Sequence, residues 1–400
     1  MTLTTTCCIV GGGPAGMMLG LLLARAGIDV TVLEKHADFL RDFRGDTIHP
    51  STMELLAELG LLDQFLERPH SRAVTLTARI GTDEITVADF SRLPTRCRFI
   101  AFMPQWEFLD FLSTHARTYP NFHLLMRTEA IGAVSEAGTV RGVRAQGPEG
   151  EMTIHANLVV AADGRHSTLR AEGGFKVSDL GAPMDVLWMR LSRKPTDPSD
   201  ALGTAGRGRL FIAIDRRDYW QCAYLVPKGA TDALKATGLE AFRAAIAELA
   251  PDFADRVKEI ATWDDVKLLT VTVNRVREWF RPGLLLIGDA AHAMSPVGGV
   301  GINLAIQDAV ATANILTPPL RNGPPGPELL RLVQRRRETP TRLTQGLQLL
   351  IQNAVIRRVL AGRSQPHAPL PLRLLAPSLR YVTARVIGLG FLPEHIRSSG

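Results

Sequence analysis

The stretch from residue 7 to residue 34 constrains the fold more than any other. Residues 7–10 read as a short apolar strand, Gly11-Gly12-Gly13-Pro14-Ala15-Gly16 as a turn, residues 14–26 as a helix stopped by Gly27, and residues 29–34 as a second strand. This is a βαβ unit, and its right-handed crossover makes the two strands parallel. The turn fits G-x-G-x-x-G. The glycines permit a tight turn and let backbone N–H groups approach a pyrophosphate at a helix N-terminus, with Gly11, Gly13, Ala15 and Gly16 as the candidate cofactor-binding residues. Glu34 stands 21 residues after Gly13, at the end of the second strand, where a carboxylate accepts hydrogen bonds from ribose hydroxyls. The expectation is a Rossmann-like dinucleotide site, with NAD and FAD both open.

At 400 residues, the chain is long enough for two lobes. Residues 50–66 and 105–117 read as helices, and glycine-punctuated strands follow between 122 and 160, ending in a buried strand at 158–162. From 183 to 273 longer alternating strands take over; residues 209–214 and 219–226 form a hairpin around Asp215-Arg216-Arg217-Asp218, and a helix follows at 239–249. An apolar strand at 284–287 and a helix at 301–316 return to the first style. After a Pro/Gly break at 318–327 the remainder is helical, with a proline interruption at 366–371. The fold expected is α/β: a Rossmann-like domain with a mixed sheet (1–180, then 274–316) interleaved with a smaller β-sheet substrate domain (181–273, with an insertion near 70–105 as an option), plus C-terminal helices (317–400).

With 46% hydrophobic and 22% charged residues the chain is globular, which excludes a disordered tail or linker. Cys7, Cys8, Cys97 and Cys222 have no metal or redox spacing, so they read as reduced thiols of a cytoplasmic protein with no bound metal. The apolar run at 7–24 contains five glycines and a proline, which argues against a signal peptide or membrane span. The net charge of +6 is uneven: residues 321–400 hold 13 arginines, no lysine and three glutamates, and the rest is mildly acidic. Leu343, Leu347, Leu350, Ile351 and Ala354 make an apolar stripe among Arg342, Arg357 and Arg358. Packing against the body is the first reading of this stripe and weak contact with a membrane surface the second. No nucleic-acid-binding motif accompanies the arginines.

Three further segments carry a resemblance. Asp163-Gly164-Arg165-His166-Ser167-Thr168-Leu169-Arg170 fits D-G-x-x-S-x-x-R after a strand, Gly288-Asp289-Ala290-Ala291-His292 precedes Pro296 and Gly298-Gly299-Val300-Gly301, and Tyr219-Trp220-Gln221-Cys222-Ala223-Tyr224 lies in the hairpin. With the glycine turn, these resemble the flavoprotein aromatic hydroxylases related to p-hydroxybenzoate hydroxylase. That resemblance implies FAD, with Asp289 on the ribityl chain and the loop containing Pro296, Gly298 and Gly301 at the pyrimidine edge. There the N–H groups of Gly301, Ile302 and Asn303 stabilise negative charge on reduced flavin. It also implies that Asp163 and Gly164 shape a cofactor loop, that Arg44 lies near flavin and nicotinamide, and that Gln105 lies at the pyrophosphate. His292 reads as packing, and Arg170 as an internal partner.

The resemblance further implies the reaction: NADPH or NADH reduces flavin transiently, O2 adds as a C4a-hydroperoxide, and an electron-rich aromatic or polyketide-like substrate takes the distal oxygen. Candidate substrate contacts are Trp188, Arg190, Phe211, Gln221, Cys222 and Tyr224, with the face of the hairpin that meets flavin left open. An epoxidase, halogenase or reductase on the same scaffold is the rival within flavoenzymes, though no W-x-W-x-I-P is present. A non-catalytic flavin-binding protein is the rival from another class. Monomer and homodimer are both open.

Overall fold

The computed structural model describes residues 1–40, 47–80, 83–197, 202–206, 208–362 and 370–397. Arg44 lies outside the described residues. Strands Thr2–Val10 and Val30–Glu34 flank helix Pro14–Arg25, as the βαβ pattern requires. They belong to an eight-stranded sheet in the order Phe280–Arg281, Leu284–Leu286, Gly150–Ala161, Thr2–Val10, Val30–Glu34, Phe122–Met126, with Glu129–Glu136 and Thr139–Gly147 folded antiparallel beside Gly150–Ala161. The four central strands are parallel, so their carboxyl ends emerge side by side. Their completely buried Ile9, Val32, Val159 and Leu285 reflect a parallel sheet covered on both faces. Gly20 lets helix Pro14–Arg25 sit close: a Cβ there would lie 2.8 Å from the Phe122 ring and 2.9 Å from the Val32 side chain. Helices Gly301–Leu320 and Gln105–Ala116 pack beside it.

The second sheet has seven strands: Lys267–Leu269, Met184–Ser192, Tyr219–Pro227, Arg209–Asp215, Leu202–Gly206, Thr75–Ile80 and Asp83–Asp89. The expected hairpin is present, with Asp215 opposite Trp220 and Arg217 at a positive φ of 68° in its turn. One face is filled by Trp220, Cys222, Tyr224, Phe211, Leu187 and Met189 against Phe242 and Ile246 of helix Leu239–Leu249. The opposite face presents Val186, Trp188, Leu210, Ile212, Ala223 and Leu225 toward Val297, Leu349, Ile356 and Leu360.

Three readings need correction. The helix expected over 50–66 is two, Pro50–Glu58 and Leu62–Leu66, because the chain turns at Gly60 with φ 73°. The helix from Gly301 runs to Leu320 through Pro318 and Pro319, and its last turn buries Leu320. The leucine stripe of the C-terminal region faces outward: Leu343 is 48% and Leu350 63% exposed. The buried face of helix Pro327–Ile351 carries Gln334, Thr341, Thr344, Gln345 and Gln348 instead. Leu330 and Val333 join the apolar core at its start, but further along the helix covers bare carbonyls and N–H groups, which require amide partners that leucine cannot supply.

Candidate functional site

Four turns that are distant in sequence meet at the carboxyl ends of the parallel strands. Val10 pairs with Leu33 and Ala161, and Ala161 with Leu286, so Gly11–Gly16, Glu34, Ala162–Gly164 and Gly288–Asp289 leave neighbouring strands in register. This is the crevice where open parallel sheets bind nucleotides. The glycines are required sterically. A Cβ on Gly16 would fall 1.9 Å from the Gly11 carbonyl oxygen, and one on Gly11, at φ 107°, would fall 2.4 Å from the Ala162 oxygen. Gly288, at φ 58°, wedges between Ala15 and Ala305, with a virtual Cβ 3.3 Å from each, which brings its turn onto the glycine loop. Gly13 differs: nothing lies within 4 Å of its Cβ position, and it caps helix Pro14–Arg25, whose first N–H groups have no intrahelical acceptor.

Glu34 is buried, and its carboxylate accepts from Gly12 N at 3.2 Å and His36 N at 2.9 Å. It therefore braces the glycine loop as well as facing the crevice edge. Burial pushes the Asp163 carboxyl above its usual range, against the bonds it accepts from Ser167, Thr168 and Leu169. Its Oδ2 accepts from Thr168 N at 2.9 Å, while its buried Oδ1 has no protein donor. The Asp289 side chain is about one-third exposed and lies 3.7 Å from Arg165. Arg170 turns inward, donating to the carbonyls of Ala290 and Arg165. Gln105 opens its helix behind Pro104 and is half-buried. Beside it a cleft of about 490 Å³ runs between Phe39, Trp106, Asp110, Arg117, Leu124 and Met126.

The turn after Pro296 is built by positive φ at Gly298 (78°) and Gly299 (63°), which aims the chain into helix Gly301–Leu320. Three residues that sequence reasoning missed hold it. Thr47 donates to the Gly299 carbonyl at 2.8 Å, and Asn303 Oδ1 accepts from His49 N at 3.1 Å and Thr52 Oγ1 at 2.6 Å. Asp308 is the fourth omission. Wholly buried, it accepts from Gly288 N at 3.1 Å, His292 Nε2 at 2.6 Å and Arg337 Nε at 3.0 Å. Burial opposes its ionisation, but His292 and Arg337 hold its carboxyl below the usual range. The available signal was a carboxylate on the inner face of the helix that follows Gly288-Asp289.

The hairpin candidates divide. Phe211, Cys222 and Tyr224 lie on the face packed by helix Leu239–Leu249, with the Tyr224 ring 5.2 Å from Phe242, so strand alternation turns them away from the Val297 side. Trp188, Arg190 and Gln221 share the other face. Gln221 Oε1 accepts from Arg216 Nε at 3.0 Å, and its Nε2 is buried without a protein acceptor, as is Trp188 Nε1. Arg190 is exposed, stacked 3.7 Å over the Tyr219 ring.

The glycine turn, the open approach at Gly13 and the carboxylates around it fit an FAD pyrophosphate and its sugars. A family model described as "FAD binding domain" matches residues 4–346. The chain belongs to this family. It is 34% identical over 387 residues to 6-methylpretetramide 4-monooxygenase of Streptomyces rimosus, covering 96% of this chain and 92% of that one. The solved structure of OxyS anhydrotetracycline hydroxylase from the same species superposes with a TM-score of 0.74 at 26% identity, covering 96% of this chain and 76% of that one. PqsL, a probable FAD-dependent monooxygenase from Pseudomonas aeruginosa, shares the fold with a TM-score of 0.77 at 20% identity, covering 90% and 99%. This flavoprotein monooxygenase uses FAD with NAD(P)H and O2. Among the described residues no group of His, Cys, Asp and Glu could hold a metal, and no helix is long and apolar enough to cross a membrane.

Proposed function

We propose that this monooxygenase hydroxylates a polycyclic, phenolic polyketide, and that FAD lies across the four strand ends. Gly11, Gly13, Ala15 and Gly16 take the pyrophosphate, Glu34 the adenosine ribose and Asp289 the ribityl hydroxyls, while Asp163 and Gly164 shape the wall between them. Pro296, Gly298 and Gly301 bring the N–H groups of Gly301, Ile302 and Asn303 to the pyrimidine edge, where the helix N-terminus stabilises negative charge. Arg44 and Gln105 keep the supporting places that the resemblance implies. The observation that carries this reading is the convergence of Gly13, Glu34, Asp163 and Asp289 on neighbouring strand ends. The 34%-identical relative, named for acting on a pretetramide, supports the polyketide class.

When bound, FAD supplies the redox and oxygen chemistry. The chain's own part is to keep water out and to orient the substrate. Trp188 Nε1 and Gln221 Nε2 are buried donors without protein acceptors on the face toward Val297, suited to a substrate carbonyl or phenolate oxygen. Arg190, at the exposed rim, steers an acidic edge. The reading divides the chain into 1–180 with 274–316, 181–273 with strands 75–80 and 83–89, and 317–400, and membership of the two sheets supports it. The four buried free thiols suit a cytoplasmic setting. Arginines beside exposed Leu343 and Leu350 are the reason to test cosedimentation with acidic vesicles.

The visible spectrum tests this directly. Purified protein should be yellow and bleach when mixed anaerobically with NADPH or NADH, faster with polycyclic phenols than with simple phenols or quinolones. Protein that cannot be loaded with FAD sinks the cofactor site, and equal rates across the panel sink the substrate class.

A further inference from the structure

We infer that helix Gly301–Leu320, where it meets helices Pro327–Ile351 and Leu370–Leu389, carries a site for one small monovalent anion of halide size. A cavity of about 30 Å³ lies there, lined by Ser51, Val300, Asn303, Leu304, Gln307 and Arg337 among others. Asn303 Nδ2, Gln307 Nε2 and Arg337 Nη2 are buried with no protein acceptor, and the three residues are 6%, 4% and 0% exposed.

The amide orientations follow from their other ends. Asn303 Oδ1 is held by His49 N–H and the Thr52 hydroxyl, and Gln307 Oε1 by Glu394 N–H, which leaves both NH2 groups for the cavity. Four residues apart, they share one face of the helix. Arg337 uses its Nε on Asp308 and its Nη1 on Glu394 and the Leu392 carbonyl, which leaves Nη2.

Three buried donors without acceptors are costly unless something accepts from all of them. Two of the carbonyls there are already engaged, Ile387 O by His49 Nδ1–H and Val386 O by Gly390 N–H. Val300, Leu304, Val386 and Leu389 add an apolar part to the wall, beside the Ser51 and Thr344 hydroxyls. A water molecule accepts from two donors at most, whereas a halide accepts from all three and brings no protons of its own. Arg336 and Arg337 together balance Asp308 and Glu394, so a halide here is held by its three donors and not by surplus positive charge.

The test uses FAD-loaded protein in sodium bromide or chloride against sodium gluconate at equal ionic strength. Expected are a saturable rise in Tm with halide alone and an anomalous bromide peak within hydrogen-bond distance of all three donors. Gln307→Glu keeps the acceptor for Glu394 N–H but places a carboxylate in the cavity, so it should abolish the halide response while the flavin spectrum persists. Water in the cavity at high bromide, a bromide peak with no Tm response (an adventitious ion only), or an undiminished response in Gln307→Glu would each overturn the site. The spectrum reports cofactor loading separately, so failure here is distinguishable from failure of the FAD site.

Discussion

At Asp289 the side chain is part-exposed, with Arg165 at 3.7 Å and Arg170 nearby, and no protein hydrogen bond to its carboxylate is seen among the described residues, so it is available for ligand hydroxyls. Asp289→Ala should leave folding intact and raise the FAD dissociation constant about tenfold or more, as expected for losing a hydrogen bond to a charged group; fluorescence titration with FAD measures it, and unchanged affinity removes Asp289 from the site. Tyr224 gives the opposite expectation. Its ring packs under helix Leu239–Leu249, and burial pushes its phenol above its usual range. Tyr224→Phe should therefore leave turnover and the coupling of NAD(P)H use to product unchanged, whereas Gln221→Leu should raise KM for an oxygen-bearing substrate. Equal effects of the two variants would reverse the assignment of faces. Alternation along residues 219–226 was legible in the sequence, but which side faced inward depended on a helix 13 residues further on covering one of them.

The turn 296–301 is held from two sides. Thr47 and Asn303 tie it to the segment that begins helix Pro50–Glu58, and Gln345 and Gln348 tie the residues before it to helix Pro327–Ile351. Gln345 Nε2 donates to the carbonyls of Asn274 and Ala293, and Gln348 Nε2 to those of Ser295 and Val297. Gln348→Leu leaves the buried Ser295 carbonyl and N–H and the part-buried Val297 carbonyl without their partner. A loss of roughly 2–6 kcal/mol, from ~1–3 kcal/mol for each of the two fully buried groups, should follow, together with uncoupled NAD(P)H oxidation; a urea melt and peroxide assay check both, and neither change would make this helix mere packing. Periodicity located these elements well. The glycine turn was legible because sterics leave Gly11 and Gly16 no alternative, and Gly288-Asp289 because it follows an apolar strand. Glutamines on a helix carry no such signal, since their partners are backbone groups that any sequence supplies.

Across the whole molecule, helix Leu370–Leu389 is joined to the nucleotide domain through His49, whose Nδ1–H donates to the Ile387 carbonyl at 2.7 Å. Burial lowers the pKa of this histidine from 6.5 to about 4, against the raising effect of that bond. Because the folded value lies below the unfolded one, its contribution is fully present above pH 6.5 and is lost as pH falls toward 4. The shift corresponds to roughly 3 kcal/mol at ~1.4 kcal/mol per pH unit. Urea midpoints should fall between pH 6.5 and 4, less steeply for His49→Asn; identical slopes would assign the acid sensitivity elsewhere. The two-sheet organisation was legible from the change in strand texture near residue 183. The positions of Asp308, Thr47 and Thr52 were not, because each acts on a residue more than 19 positions away.

The glutamine row on helix Pro327–Ile351 grips mostly main chain, with Gln345 also accepting from the Arg275 side chain. The gripped residues beside the proposed flavin are therefore free to drift in identity while their path stays put. A lineage of such enzymes can trade one substrate for another by rewriting what the loop displays, using a jig indifferent to the piece it holds.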